Sequence, residues 1–411
     1  MPQRVDKRNL GVGCLTITPQ VRRNIDQVLR TQRLSYGPFL QKFERRFSQA
    51  HGCRFGVVVN SGTSALRIAV ACLKECHGWR AGDEVLVPAL TFVATGNVVI
   101  DHGLRPVFVD VDARTYNIDP KKIEERITKR TRAIIVVHLF GQPAEMDPIV
   151  RIARKHRLKI IEDSCETMFA NYKGRRVGSF GDIACFSTYI AHLIVTGVGG
   201  LALTNNKRYA TILRSLANHG RNNIYISIDD DQHKSGKAFA EVVAKRFAFV
   251  RPGYSFRLTE FEGALGCAQL QIAPKILAAR RRNAAYLLKK LRPFESFLQL
   301  PWHPAYSQHS FMMFPIVLRR GSGLPKPAMM LYLEKQGIET RDMLPLINQP
   351  FYRKMFKIRQ SRYPVADWVN THGFYVGCHQ MMRKVELDYI VKQIALFIQI
   401  VQRRQRKNRQ H

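Results

Sequence analysis

Phe55-Gly56-Val57-Val58-Val59-Asn60-Ser61-Gly62-Thr63-Ser64-Ala65-Leu66 sets an apolar run of strand length before a turn of small, hydroxyl-bearing residues, and then the start of a helix. In a strand–turn–helix of this kind the backbone N–H groups and the helix dipole converge on one point, an arrangement suited to a phosphate. Ser and Thr are also ordinary helix N-caps, so the turn becomes informative only in company.

The same rhythm continues outward. Glu84 to Val87 is followed by a helix from Ala94, and further apolar runs stand at Pro106 to Val109, Ala133 to Val137 and Lys159 to Glu162. Short apolar runs alternating with amphipathic stretches predict an α/β fold, a mostly parallel sheet covered by helices, with ligands collecting at the carboxyl ends of the strands. Beyond lie a strand (Leu201 to Thr204), a helix (Lys207 to Ala217), and an irregular insert from Gly220 to Tyr254 that carries Asp229-Asp230-Asp231 and room for one helix. A helix starts at Glu260, and the character of the chain changes at Pro274. A second helix (Lys275 to Leu291), a strand (Phe311 to Leu318) and helices at Lys326 to Gln336 and Lys384 to Val401 follow. The expected division is a large domain over 1–273, a smaller α+β domain over 274–402, and a frayed basic tail over 403–411.

Length and composition agree with two domains: 411 residues exceed one ordinary core, and 45% apolar residues suit a globular protein. No apolar run approaches the roughly 18 residues of a membrane span, and Met1 to Asn9 is polar, so the expected address is cytoplasmic. Eight scattered cysteines form no CxxC pair and read as reduced thiols, so no metal is expected. Lys and Arg number 65 against 31 Asp and Glu, a net +34 that favours polyanions in general. No nucleic-acid-binding motif accompanies this charge, so neither nucleic acid nor membrane is an expected partner.

Two further stretches bear chemistry. Ile160-Ile161-Glu162-Asp163 ends an apolar strand in two acids, and a carboxylate fixed there can hold a ring nitrogen protonated, as an electron-sink cofactor requires. Phe180-Gly181-Asp182-Ile183-Ala184-Cys185-Phe186-Ser187-Thr188-Tyr189-Ile190-Ala191-His192, with Thr196-Gly197-Val198-Gly199-Gly200, is the most specific part of the chain. Together these motifs resemble the DegT/DnrJ/EryC1/StrS family of sugar aminotransferases, which are pyridoxal-phosphate (PLP) enzymes of fold type I. The likeness extends through Gly37 with Phe43-Glu44, Pro88 to Thr95, Pro106 to Asp112, His138 to Gln142, His219-Gly220-Arg221, Gly253 to Leu270 and Gly337 to Arg341.

The resemblance implies that Gly62, Thr63 and Ser187 hold the cofactor phosphate, Asp163 meets the pyridine nitrogen, Phe92 stacks on the ring and Glu166 lies near its hydroxyl. It implies a homodimer in which an Asn reaches the partner's phosphate, a position that here is Ser255. Arg221, Arg257 and Arg341 fall in matching stretches and are candidates for substrate phosphates or an amino donor's carboxylate, which guanidinium binds in a bidentate way.

The main departure is His192, which occupies the position of the family's Schiff-base lysine. No lysine occurs between Lys173 and Lys207. A minority branch also has His here: dehydratases that remove the C3 hydroxyl of nucleotide-linked 4-keto-6-deoxysugars with pyridoxamine phosphate (PMP), the neutral imidazole acting as base. Glu162 to Glu166 matches that branch, whereas Val198 and Leu193 depart from its usual Glu and second His. The segment between Cys185 and Cys267 has no cysteine, which speaks against a built-in iron–sulfur cluster. Three readings follow: a lysine-free 3-dehydratase with non-covalent cofactor, a nucleotide-sugar aminotransferase using glutamate, and a catalytically silent relative with a binding role.

Overall fold

A computed structural model describes residues 10–222, 234–245, 247–343 and 346–408. Two helices lead in, α1 (Pro19–Thr31) and α2 (Pro38–Ala50). The alternation that begins at Phe55 follows as β1 (Phe55–Val59), α3 (Gly62–His77), β2 (Glu84–Pro88), α4 (Val93–Asp101), β3 (Arg105–Val109), β4 (Thr131–Val137), α5 (Met146–Lys155) and β5 (Lys159–Asp163). A hairpin of β6 (Asn171–Tyr172) and β7 (Arg175–Arg176) precedes β8 (Ile183–Ser187) and β9 (Gly200–Thr204).

Seven of these strands form one sheet in the order β1-β9-β8-β5-β4-β2-β3. It is parallel except for β9, which runs antiparallel to both β1 and β8. The apolar runs explain the layering. Alternate residues of a strand face opposite sides, so Val85, Val87, Ile135 and Ile161 enter one core while Leu86, Ile134, Val136 and Ile160 enter the other. Each such side chain, fully buried, contributes roughly 1.5–3 kcal/mol of transfer free energy.

After α6 (Lys207–Ala217), the described residues of the insert contain one helix, α7 (Gly236–Lys245). Asp229-Asp230-Asp231 lies outside the described residues. The chain then enters α8 (Glu260–Leu291), opened by a capping box between Thr259 and Glu262. Here the structure corrects the sequence reading: Pro274 does not separate two helices but sits inside one of 32 residues. Proline removes a single helical hydrogen bond, and Pro274 is on the exposed side, where the freed carbonyl can meet water. The two ends of α8 are held by separate packing, against α1 and α2 at one end and the second core at the other.

The last third adds β10 (Leu298–Gln299), β11 (Ser307–Gln308), β12 (Phe314–Leu318), α9 (Lys326–Lys335), β13 (Thr340–Asp342), α10 (Pro350–Phe356), α11 (Pro364–His372), β14 (Gly373–Val376) and α12 (Lys384–Asn408). A four-stranded antiparallel sheet, β10-β12-β14-β13, carries the second core with α9 and α12. The expected strand at Phe311 starts only at Phe314. Phe311 takes a left-handed φ of 50°, and the N–H groups of Ser310 and Met312 bind the carbonyls of Gly141 and Phe140. This diverts Met312 and Met313 toward the large sheet. The basic stretch after Gln402 is helical through Asn408 and not frayed, as its run of good helix formers favours.

Candidate active site

The carboxyl ends of β1, β5 and β8 and the first turns of α3 and α4 surround a cavity of about 400 Å³. At the end of β1 the Ser61 side chain caps α3 by accepting from the Ser64 N–H at 3.0 Å, and the Ser64 hydroxyl donates to Asn60 at 2.6 Å. First-turn amides of a helix have no acceptor within it, and Gly62 and Thr63 line the cavity. Gly62 must be glycine: a Cβ there would lie 2.7 Å from the Cys165 sulfur and 2.8 Å from the Ser187 Cβ. The first-turn amides of α3 and the Ser187 hydroxyl at the end of β8 are therefore brought together in one wall of the cavity.

Asp163, at the end of β5, is buried in the same wall. Its Oδ2 accepts from the Thr95 hydroxyl at 2.8 Å and its Oδ1 from the Cys165 N–H at 3.3 Å. Burial raises its pKa above the ordinary value, against the Cys165 thiol and those two hydrogen bonds. No Lys or Arg lines the cavity among the described residues, so the carboxylate stands ready for a cation brought from outside. Glu166 accepts from the Phe140 N–H at 2.9 Å. Burial, helped by the charge of Asp163 and opposed by that bond, pushes it up to about 7. Phe92, 56% exposed at the start of α4, holds an unpacked ring at the mouth.

His192 follows β8 in a tight turn, its N–H donating to the Tyr189 carbonyl at 2.9 Å. Its Nδ1 lies 3.0 Å from the Ser187 carbonyl. A carbonyl only accepts, so Nδ1 carries the hydrogen and Nε2 is left with a free lone pair. Burial lowers the imidazole pKa to about 4, with the Arg280 charge adding to it and the Ser187 bond opposing. The ring is neutral at pH 7.

Gly62, Thr63, Phe92, Asp163, Glu166, Ser187 and His192 thus share one cavity. Arg341 lines a wider outer chamber of about 740 Å³ that shares Phe92, Tyr189 and Tyr375 with it, and pairs there with Glu339. Ser255, Arg221 and Arg257 are not in the wall of either. They sit together on a strip where Asn218 bridges Ser255 and Arg221 bridges Phe249, and Arg257 donates to Ser255 at 3.1 Å. Sequence reasoning missed Thr95 and Cys165, although both lie inside the motifs it quoted. It also missed Met312, Met313 and Tyr375, which come from the far end of the chain with no local signal.

The family model described as DegT/DnrJ/EryC1/StrS aminotransferase family matches residues 16–395. The chain belongs to this family. Over 358 residues it is 33% identical to GDP-perosamine synthase of Caulobacter vibrioides, covering 87% of this chain and 89% of that one. It is 30% identical over 381 residues to GDP-4-keto-6-deoxy-D-mannose 3-dehydratase of Escherichia coli O55:H7, covering 89% and 94%. The solved E. coli GDP-4-keto-6-deoxy-D-mannose-3-dehydratase with bound hydrated PLP superposes with a TM-score of 0.82 at 28% identity, over 94% of this chain and 99% of that one.

Members of the DegT/DnrJ/EryC1/StrS family are PLP-dependent sugar aminotransferases or dehydratases. The cavity fits that cofactor on its own terms: an amide-and-hydroxyl cradle closed by a glycine no Cβ can replace, and a buried carboxylate without a cation. Among the described residues no helix is long and apolar enough to cross a membrane, and no group of His, Cys, Asp and Glu is arranged to hold a metal.

Proposed function

We propose that this chain is a lysine-free sugar 3-dehydratase that binds PMP non-covalently and acts on a nucleotide-linked 4-keto-6-deoxysugar. The observation that carries the reading is His192, fixed in the cavity wall with Nε2 unprotonated, in a site that no lysine lines among the described residues.

Gly62, Thr63 and Ser187 would bind the cofactor phosphate, and Phe92 would cover one face of the ring. When bound, PMP supplies an amine that joins the sugar's C4 ketone and a ring that takes up the electron pair released beside it. Asp163 keeps the ring nitrogen protonated. His192 would accept a carbon-bound proton at Nε2 and would then return it to the departing C3 hydroxyl. Glu166, poised near neutrality, holds a proton at the ring hydroxyl. Arg341, in the outer chamber, is the candidate for the nucleotide phosphates. Ser255, Arg221 and Arg257, which stand outside their own chain's cavity, suit the boundary with a second copy in a homodimer.

Aminotransfer from glutamate is the alternative, supported by the identity to GDP-perosamine synthase. One experiment separates the two. Intact mass after PLP and borohydride, alongside an absorbance titration, should show saturable binding without a covalent adduct, and the 4-keto-6-deoxysugar nucleotide should lose its C3 hydroxyl. A stoichiometric adduct on one lysine, with glutamate-dependent amination, would establish the aminotransferase instead.

A further inference from the structure

Away from the cofactor cavity, a pocket of about 550 Å³ opens where the end of α2, the β6–β7 hairpin and the middle of α8 meet. Arg46, Arg176 and Arg281 reach it from those three elements, and no Asp or Glu is among its lining residues. None of the three has a carboxylate partner among the described residues; by contrast, other basic residues such as Arg132, Lys159 and Arg214 are each paired with an acid. What anchors the pocket arginines is neutral: Arg281 Nε donates to the His309 carbonyl at 3.0 Å, and Arg176 donates to the Phe169 carbonyl.

Arg281 is partly buried with its Nη2 unpartnered. Burial and the facing charge of Arg176 both lower its pKa from the ordinary value. Like charges gathered in a concave, partly dry place repel, and an anion relieves that repulsion. Around them Gln271 and Gln308 offer amide groups, and Leu270 and Leu277 provide an apolar wall.

We propose that this pocket is a second anion site, which takes the diphosphate group of a small phosphorylated metabolite. Three guanidiniums without a counter-ion match a group carrying two to three negative charges, and guanidinium engages phosphate oxygens through paired N–H donors. The diphosphate can come as the inorganic ion or as part of a nucleotide whose base lies on the apolar wall. Because none of these residues touches the cofactor cavity, the inference stands independently of the dehydratase reading.

Isothermal titration of the PLP-loaded full chain with inorganic pyrophosphate tests it. Saturable binding at one site per chain is expected, weakened at least tenfold in Arg176→Gln and in Arg281→Gln and unchanged in Arg403→Gln on the exposed tail. Arg46→Gln at the rim gives the same reading if loss of the His309 contact prevents Arg281→Gln from folding. GDP as a second titrant distinguishes the sources: tighter binding than pyrophosphate, sensitive to the same variants, identifies a nucleotide, and equal binding identifies the diphosphate alone. No saturable binding, or binding equally strong in all the variants, would overturn the site.

Discussion

Glu162 and Asp163 are neighbours at the end of β5, and they face opposite sides of the sheet with opposite chemistry. On one side Glu162 is saturated. Its carboxylate accepts from His138 Nε2 at 3.0 Å and from the N–H groups of Gly178, Phe180 and Gly181 at 2.7, 2.7 and 2.6 Å. Burial pushes its pKa up, but the His138 bond and the amides outweigh that and leave it below the ordinary carboxylate value. On the other side Asp163 has the Cys165 thiol, the Thr95 hydroxyl and one long amide contact, which do not offset its burial, and it remains raised. The first acid holds the crossover to β8 in place, and the second keeps its charge for a ligand. A buried acid serves the fold when its hydrogen bonds are complete and serves chemistry when they are not.

The largest effect should come from the unsaturated side. His192→Asn preserves a polar group of similar size but has no base, so kcat for C3 dehydration is expected to fall by about 10²–10⁴-fold. Cofactor affinity, measured by absorbance titration, should stay within a few-fold of wild type. Activity that survives intact would remove His192 from the chemistry. Glu162→Gln tests the saturated side. It leaves His138 and three amides facing an amide that can accept at only one atom, and breaking a buried charge network costs roughly 3–5 kcal/mol. Urea unfolding should show that loss with or without PLP; a change under 1 kcal/mol would mean the network is not what holds the crossover.

These contrasts also explain what the sequence made legible. The cradle, Asp163 and Ser187 sit at strand ends and His192 in the turn that follows one, and a strand end is written locally as an apolar run that stops at small or polar residues. The diversion of Met312 and Met313 into the cavity depends on Phe311 turning left-handed against Phe140 and Gly141, about 170 residues away in the chain. No local pattern encodes that. Pro274 misled because a breaker is a local signal, while the continuity of α8 is settled by what packs on its two ends. The arginine pocket is invisible in the sequence for a related reason: its three arginines come from distant segments that only the fold brings together.

Glu166 adds a pH dependence. Its carboxyl, ordinarily near 4.5, is lifted to about 7. A raised acid contributes stability that is complete below the ordinary value and lost as pH rises through the folded one. Cofactor-free protein should therefore lose stability between about pH 4.5 and 7, by about 3 kcal/mol, and Glu166→Gln should flatten that slope in urea unfolding. Activity should be bell-shaped, needing His192 deprotonated above about 4 and Glu166 protonated below about 7. An alkaline limb that persists unchanged in Glu166→Gln would assign that limb to another group.

Asp163→Asn should have the smallest effect on the cofactor-free protein. Since burial raises this acid, its stability contribution is present below the ordinary carboxylate value and lost as pH rises, so ionisation of Asp163 costs the fold stability. Asparagine keeps the shape, still offers the Thr95 hydroxyl an acceptor, and removes the charge. Cofactor-free Asp163→Asn should unfold at the same urea concentration as wild type or slightly above it. Addition of PLP should then stabilise wild type and not the variant, because the ring nitrogen has lost its counter-ion, with affinity down at least tenfold. If Asp163→Asn instead destabilised the cofactor-free chain as strongly as Glu162→Gln, the two faces of β5 would be equally structural. An incompletely bonded acid would then no longer mark the chemical side of the strand.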